Sequence, residues 1–180
     1  GHQLSEKVIG ENLRTVIEKV PGRLIVGTFA SLLSRVNQII SICESLGKKV
    51  AVDGYGMKTN VEIAKELGYI KAHSSIFIDV ERGHDYPPEK VVIIGTGAQG
   101  EKRAVLMRIA QGEHRFIRVQ PNDTVMFSSS IIPGNERTVQ RLMDTFYRRG
   151  AKVINYRMLD VHAGGHAQAE DIKLLLRLTN

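Results

Sequence analysis

The stretch Leu24-Ile25-Val26-Gly27-Thr28, followed further along by Lys49-Val50-Ala51-Val52-Asp53, decides the fold of this chain. Both are short apolar runs of the kind that forms fully buried strands. Between them, apolar residues recur at helical spacing as far as Gly47, and they are Leu32, Leu33, Val36, Ile39, Ile40 and Cys43. Strand, helix and strand in this order predict a βαβ unit with parallel strands.

The same alternation continues on both sides of this unit. The predicted helices are Ser5–Val20, Thr59 or Asn60 to Gly68, Arg103–Ala110, Glu136–Arg149 and Gln168–Leu178. The predicted strands are Ser75–Ile78, Val91–Ile94, Thr124–Phe127 and Lys152–Tyr156. Apolar strands that alternate with helices predict an α/β fold, a doubly wound and mainly parallel sheet with helices on both faces. The pattern is that of a single domain over residues 1–180.

Composition narrows the functional classes. The single cysteine rules out an internal disulfide framework, and no apolar run approaches the roughly 18–20 residues of a membrane span. The cytoplasm is therefore the expected compartment. A formal charge of +6 favours a polyanionic partner, and we expect RNA or DNA before a membrane surface.

The loops that follow the predicted strands are small, polar and rich in glycine. They are Thr28–Ser31, Asp53–Gly56, Gly95–Glu101, Ser128–Glu136 and His162–Ala167. Because ligands of parallel sheets bind at the carboxyl ends of the strands, these loops are expected to share one edge. Backbone donors and hydroxyls along such an edge suit an extended phosphodiester.

The segment His162-Ala-Gly-Gly-His166-Ala is the clearest candidate for gripping a phosphate. Glycine allows the backbone to approach a phosphate closely, the following helix presents its N-terminal end, and imidazoles donate hydrogen bonds or protons. Two alternatives stay open. The histidines could be surface residues at a helix start, or they could ligate a metal ion, although zinc needs more ligands and Cys43 lies far away in the sequence.

Other loops have plain alternatives too. Gly95–Gly100 lacks the Gly-x-Gly-x-x-Gly spacing of a dinucleotide site. The serines 128–130 do not form a Gly-x-Ser-x-Gly elbow, which disfavours a serine nucleophile. Asp53 could hold a ribose or cap a turn.

Taken in chain order, these loops resemble one known family. The motifs that carry the resemblance are Thr28-Phe29-Ala30-Ser31 with Arg35 and Gln38, Lys49-Val50-Ala51-Val52, Thr96-Gly97-Ala98-Gln99-Gly100-Glu101, Gly112-Glu113-His114, Asp123-Thr124-Val125, Ser128-Ser129-Ser130, Pro133-Gly134-Asn135-Glu136, Gly150-Ala151 and His162-x-x-Gly165-His166-Ala167. Their order and spacing are similar to those of the β-CASP domain of bacterial ribonuclease J, over essentially the whole chain.

The resemblance implies an RNA-degrading and RNA-maturing hydrolase, including rRNA processing. It implies 5′-to-3′ exonuclease activity that favours 5′-monophosphate ends, together with endonuclease activity. In the family, a metallo-β-lactamase domain holds two zinc ions, and the β-CASP domain is a lid over the RNA channel. The parent protein is then expected to be a homo-oligomer.

The resemblance also implies roles for particular residues. His162, Gly164, Gly165 and His166 would hold the phosphate next to the scissile bond, and His166 would assist catalysis in the parent protein. Ser128, Ser129 and the loop residues Gly97, Gln99 and Gly100 would line the RNA or 5′-end pocket. Gly164 stands where the family usually has serine, and Lys102 where proline is common, so selectivity for the terminal phosphate is less certain than RNA contact.

The His-x-His-x-Asp-His metal motif of the family does not occur in this sequence. We therefore expect an excised domain that binds no metal or other cofactor of its own and does not cleave RNA alone. Two other functions stay open. One is a non-catalytic nucleic-acid-binding module, and the other is a small nucleotide-binding protein, whose ligand affinity would depend little on salt.

Overall fold

A computed structural model describes residues 2–160 of the chain. Its helices are α1 (His2–Lys19), α2 (Leu33–Ser45), α3 (Tyr55–Glu66), α4 (Val105–Ala110), α5 (Glu136–Arg148) and α6 (Tyr156–Leu159). Its strands are β1 (Leu24–Gly27), β2 (Lys49–Val52), β3 (Val91–Gly95), β4 (Thr124–Phe127) and β5 (Lys152–Ile154). Short 3₁₀ turns at Ser74–Ile76, Val80–Asp85 and Pro88–Lys90 connect α3 to β3.

The five strands of this part of the chain form one sheet in the order β2-β3-β1-β4-β5, and every pair is parallel. The chain moves outward from β1 to β2, returns to fill the gap with β3, and then crosses β1 to add β4 and β5 on the other side. This reversal of direction about the central strand makes the sheet doubly wound and confirms the predicted fold class.

Side chains alternate along each strand between two apolar layers. Leu24 and Val26 pack in the layer with α1, α2 and α3, whereas Ile25 packs in the layer with α4 and α5. All three side chains are fully buried. Helices therefore cover both faces of the sheet, which explains why its strands are continuous apolar runs instead of alternating ones.

Two predicted helix starts are wrong. α1 begins at His2, so Ser5 is not its N-cap. α3 begins at Tyr55 and not at Thr59 or Asn60, because Gly54 adopts a φ of +95° that turns the chain into the helix early. The Asn60 amide does not cap the helix but donates to the carbonyl oxygen of Ala30, at 2.7 Å.

Two predicted strands also need correction. Over Ser75–Ile78 the chain forms a 3₁₀ turn followed by a single bridge between Val50 and Phe77, since the His73 ring accepts a hydrogen bond from the Ser75 amide at 3.0 Å. β5 stops at Ile154, because Asn155 caps α6. The helix predicted at Gln168–Leu178 lies outside the described residues.

Candidate functional site at the carboxyl edge of the sheet

The five strands end along one edge, as the parallel order requires. The first residues beyond them remain tied to the neighbouring strand. Thr28 donates its amide to Gly95 O at 3.1 Å, and Asp53 donates to Ile94 O at 2.8 Å. The loops that follow the described strands therefore begin side by side at this edge.

Asp53 lies at this edge, but its carboxylate binds within the protein. Its Oδ2 accepts a hydrogen bond from His114 Nε2 at 2.5 Å, and its Oδ1 accepts from the Gly54 amide at 2.9 Å. His114 Nδ1 accepts from the amides of Phe116 and Ile117, which places the ring proton on Nε2. Both side chains are largely buried, so Asp53 caps a turn and anchors the segment after α4.

The loop with Gly97 and Gly100 packs tightly on its surroundings. Gly97 has a φ of +112°, and a Cβ there would lie 2.8 Å from the Cβ of Ala104. Gly100 has a φ of +79°, and a Cβ there would lie 2.5 Å from the Cγ2 of Thr138 in α5. Packing and backbone conformation thus explain why both positions are glycine, and their predicted contact with RNA stays a prediction.

Gln99 lies between these two glycines and joins two loops. Its Nε2 donates to the carbonyl oxygen of Ser130 at 2.9 Å. Its Oε1 accepts from the Ile132 amide at 2.8 Å and from Asn135 Nδ2 at 3.2 Å. Only 5% of Gln99 is exposed. The structure therefore places its side chain among protein partners, and a contact between Gln99 and RNA stays a prediction.

Residues Ser128–Ser130, here called the serine loop, follow β4. Ser128 is fully buried, and its hydroxyl donates to Gly27 O at 3.0 Å. The guanidinium of Arg35 donates to the carbonyl oxygen of Ser128. Ser129 differs from its neighbour, because its buried hydroxyl has no hydrogen-bond partner among the described residues. Ser129 is thus the member of the pair with hydrogen-bonding capacity left for a ligand.

Ser129 is one of the residues that line a cavity of about 710 Å³ between β4, α5 and α6. Its apolar floor contains Phe127, Val139 and Met143. Polar and charged side chains also line it, and they are Ser129, Ser130, Glu136, Gln140, Asn155, Tyr156, Arg157 and Asp160. An apolar floor with a few convergent polar groups is typical of a small-molecule or nucleotide site.

The electrostatics of the cavity are mixed. Burial raises the pKa of the Tyr156 hydroxyl, Asp160 raises it further, and Arg35 lowers it. The phenol therefore stays protonated at neutral pH and can donate a hydrogen bond. Arg157 supplies a positive charge, whereas Glu136 and Asp160 supply negative ones. This lining suits a sugar and base with limited phosphate better than a polyphosphate.

The structure describes some of the predicted site residues and not others. Gly97, Gln99, Gly100, Ser128 and Ser129 come together at the carboxyl edge, as predicted. His162, Gly164, Gly165 and His166 lie outside the described residues.

Sequence reasoning missed the far wall of the cavity, formed by Asn155, Tyr156 and Arg157. The sequence analysis looked for site residues in the loops after each strand. It extended β5 to Tyr156, so it did not count Asn155, Tyr156 and Arg157 as residues that follow a strand.

A search of residues 2–160 finds no group of three or more His, Cys, Asp or Glu side chains that could hold a metal ion. In the same part of the chain, no helix is both long and apolar enough to cross a membrane.

Comparison with known proteins agrees with this architecture. The family model for the ribonuclease J beta-CASP domain matches residues 21–146. The chain belongs to the ribonuclease J β-CASP family. The match spans all of β1 to β4 and the serine loop, so it covers most of the carboxyl edge described above.

Relatives of this β-CASP domain extend the match to nearly its whole length. Ribonuclease J from Mycolicibacterium smegmatis is 42% identical over 171 residues, which is 95% of the chain and 31% of the relative. Ribonuclease J from Thermus thermophilus is 42% identical over 179 residues, 99% of the chain and 31% of the relative. Ribonuclease J 1 from Streptococcus pyogenes is 40% identical over 174 residues, 97% of the chain and 31% of the relative. The chain thus spans about a third of the length of these curated relatives.

Proposed function

We propose that this β-CASP domain is the RNA-binding lid of a zinc-dependent ribonuclease J that acts as a 5′-to-3′ exonuclease and an endonuclease. The protein would degrade and mature RNA, including rRNA, in the cytoplasm. It would favour RNA with a 5′-monophosphate and would work as a homo-oligomer. The names of the relatives support the ribonuclease class, and the shares of their lengths that are matched support a further domain in the same protein.

The observation that carries the proposal is the buried Ser129 hydroxyl, which has no hydrogen-bond partner among the described residues and belongs to a residue that lines the cavity at the carboxyl edge. A buried hydroxyl without a partner destabilises the protein. A ligand oxygen that accepts a hydrogen bond from this hydroxyl would remove that cost. Phe127 and Met143 would face the nucleobase, the Tyr156 hydroxyl and Asp160 would bond ribose hydroxyls, and Arg157 would contact a phosphate. Each of these groups lines the same cavity.

Catalysis belongs to the part of the protein outside the described residues. The described side chains offer no ligand cluster for zinc, so no step of the proposed reaction passes through a metal that they hold. Zinc held elsewhere in the parent would supply the activation of water, and His166 would assist proton transfer. His162, Gly164 and Gly165 hold the adjacent phosphate. The isolated chain would then bind RNA without cleaving it.

The test uses the 180-residue chain with single-stranded RNA that carries a 5′-monophosphate or a 5′-hydroxyl. Fluorescence anisotropy measures affinity as a function of salt, and a gel of the same samples, with and without zinc or manganese, measures cleavage. We expect binding that weakens steeply with salt, stronger binding of the monophosphate, and intact RNA. Ser129→Ala should weaken binding about three- to tenfold, the value of one hydrogen bond.

Ser45→Ala is the matched control, because Ser45 lies at the end of α2, and among the described residues its hydroxyl bonds to Ile42 O and Arg14. Its affinity should equal that of the wild type. Failure of the wild-type chain to bind RNA at low salt would refute the RNA-binding role. If the isolated chain cleaves RNA and a chelator abolishes the cleavage, the proposal that this domain binds RNA while another part of the parent cleaves it is refuted.

A further inference from the structure

Gln99 connects two loops that lie far apart in the sequence. Its amide nitrogen reaches Ser130 O at the end of the serine loop, and its amide oxygen reaches the Ile132 amide just beyond it. The contact with Ile132 fixes the orientation of the side chain, because a backbone amide can only donate. Gln99 is also nearly fully buried.

The hydrogen-bonding capacity of Gln99 is almost used up by these partners. Both lone pairs of Oε1 are occupied, one by the Ile132 amide and one by Asn135 Nδ2. One of the two hydrogens on Nε2 is taken by Ser130 O. At most one hydrogen remains for any other partner. The hydrogen bonds of Gln99 therefore hold other parts of the protein and leave little capacity for a ligand.

The serine loop is held at both ends. Arg35, from α2, binds the carbonyl oxygen of Ser128, and Gln99 binds that of Ser130. Ser129 lies between these two fixed carbonyls, and its hydroxyl is one of four buried side-chain groups left without a partner among the described residues. Fixing both neighbours restricts the backbone of Ser129 to this position.

We propose that Gln99 is a positioning residue for RNA recognition, which holds the serine loop so that Ser129 keeps its place in the lining of the cavity. This inference rests on the proposed function and adds to it the means by which the site is preorganised. Preorganisation raises affinity because the ligand does not have to order the loop as it binds. Gln99 then affects RNA through Ser129 and not by contact.

The test is a double-mutant cycle in the 180-residue chain with 5′-monophosphorylated RNA. The variants are Gln99→Leu, Ser129→Ala and the two combined, with affinity measured by anisotropy and folding verified by circular dichroism. Gln99→Asn is made in parallel, because it keeps an amide but is one methylene too short to span the two loops. Gln111→Leu is the matched control, since Gln111 is exposed at the end of α4.

We expect each single substitution at Gln99 or Ser129 to weaken binding about three- to tenfold. The combined variant should bind RNA no more weakly than the single variant with the lower affinity. Once Gln99→Leu has released the serine loop, the contribution of the Ser129 hydroxyl to affinity is already lost. Gln99→Asn should resemble Gln99→Leu, and Gln111→Leu should resemble the wild type.

Three results would overturn the inference. Effects of Gln99→Leu and Ser129→Ala that multiply would show that Gln99 contacts RNA independently. A lower thermal midpoint with unchanged affinity, in both Gln99 variants, would show that Gln99 stabilises the fold only. Unchanged affinity in Ser129→Ala would refute the proposed RNA pocket itself, and this inference with it. Because Ser129→Ala keeps Gln99, this result tests the RNA pocket alone. Failure of the pocket can therefore be distinguished from failure of the positioning role of Gln99.

Discussion

Replacement of Gly100 by alanine tests whether the glycine-rich loop is shaped by packing. The φ of +79° at this position disfavours any residue with a Cβ, by about 1–2 kcal/mol. The added Cβ would also lie 2.5 Å from Thr138 Cγ2, and overpacking of this kind costs about 1–3 kcal/mol. We therefore expect Gly100→Ala to lower the free energy of unfolding by about 2–5 kcal/mol.

A second glycine separates the two contributions. Gly68 has a φ of +74°, and a Cβ there would meet no atom within 4 Å in the described part of the chain. Gly68→Ala should therefore cost only the backbone contribution, about 1–2 kcal/mol. Thr138→Ser, added to Gly100→Ala, removes the nearest atom in conflict and should recover most of the packing contribution, while the Thr138 carbonyl carbon remains 3.3 Å from the added Cβ.

Urea denaturation followed by circular dichroism measures the free energy of unfolding of the wild-type 180-residue chain, of Gly100→Ala, of Gly68→Ala and of the double variant with Thr138→Ser. Equal losses for Gly100→Ala and Gly68→Ala would refute the packing argument, as would the lack of any recovery with Thr138→Ser. The requirement for glycine at this position would then rest on its φ of +79° and not on packing against Thr138.

Two further predictions concern buried ionisable groups. Asp123→Ala should lower the free energy of unfolding by about 3–5 kcal/mol in urea titrations, because it leaves Arg23 without the carboxylate that it binds at 2.7 Å; a loss below about 1 kcal/mol would contradict this. Burial raises the pKa of the Cys43 thiol from 9.0 to about 12, so the unfolded chain loses this proton first, and the thiol's contribution to stability falls as pH rises above 9. Between pH 8 and 10 that contribution falls by about 1 kcal/mol, and Cys43→Ala should remove this part of the slope; identical slopes in the two proteins would refute the linkage.

The sheet was predictable because its signal is local. Val91–Ile94 and Leu24–Val26 are apolar at every position, and only a strand buried on both faces requires that. Helix starts were less predictable, since Gly54 sets the start of α3 through a φ of +95° that the sequence does not reveal. The 3₁₀ turn at Ser74–Ile76 depends likewise on one side-chain contact, from the Ser75 amide to His73.

The site was predictable in location but not in the role of each residue. The strand-end rule placed Asp53, Gln99 and Ser129 at one edge, and the structure confirms that placement. Their roles depend on partners distant in sequence, which no local pattern encodes. Asp53 is bound by His114, and Gln99 by residues beyond the serine loop. Only the fold shows that these polar groups are already satisfied.

A polar, glycine-rich edge therefore contains two kinds of residue that look alike in sequence. Gly97, Gly100, Gln99 and Asp53 have their conformations or hydrogen bonds fixed by the protein. Ser129 and Thr28 have buried hydroxyls that the described protein leaves unbound, and of these two residues Ser129 lines the cavity. Because unsatisfied buried groups are costly, their retention requires a compensating gain, and ligand binding supplies one. The first group builds the edge, and recognition of RNA should depend on the second. Substitutions in the first group should then change stability and loop order, and at Gln99 they should change affinity through the serine loop, whereas Ser129→Ala should change affinity with little loss of stability.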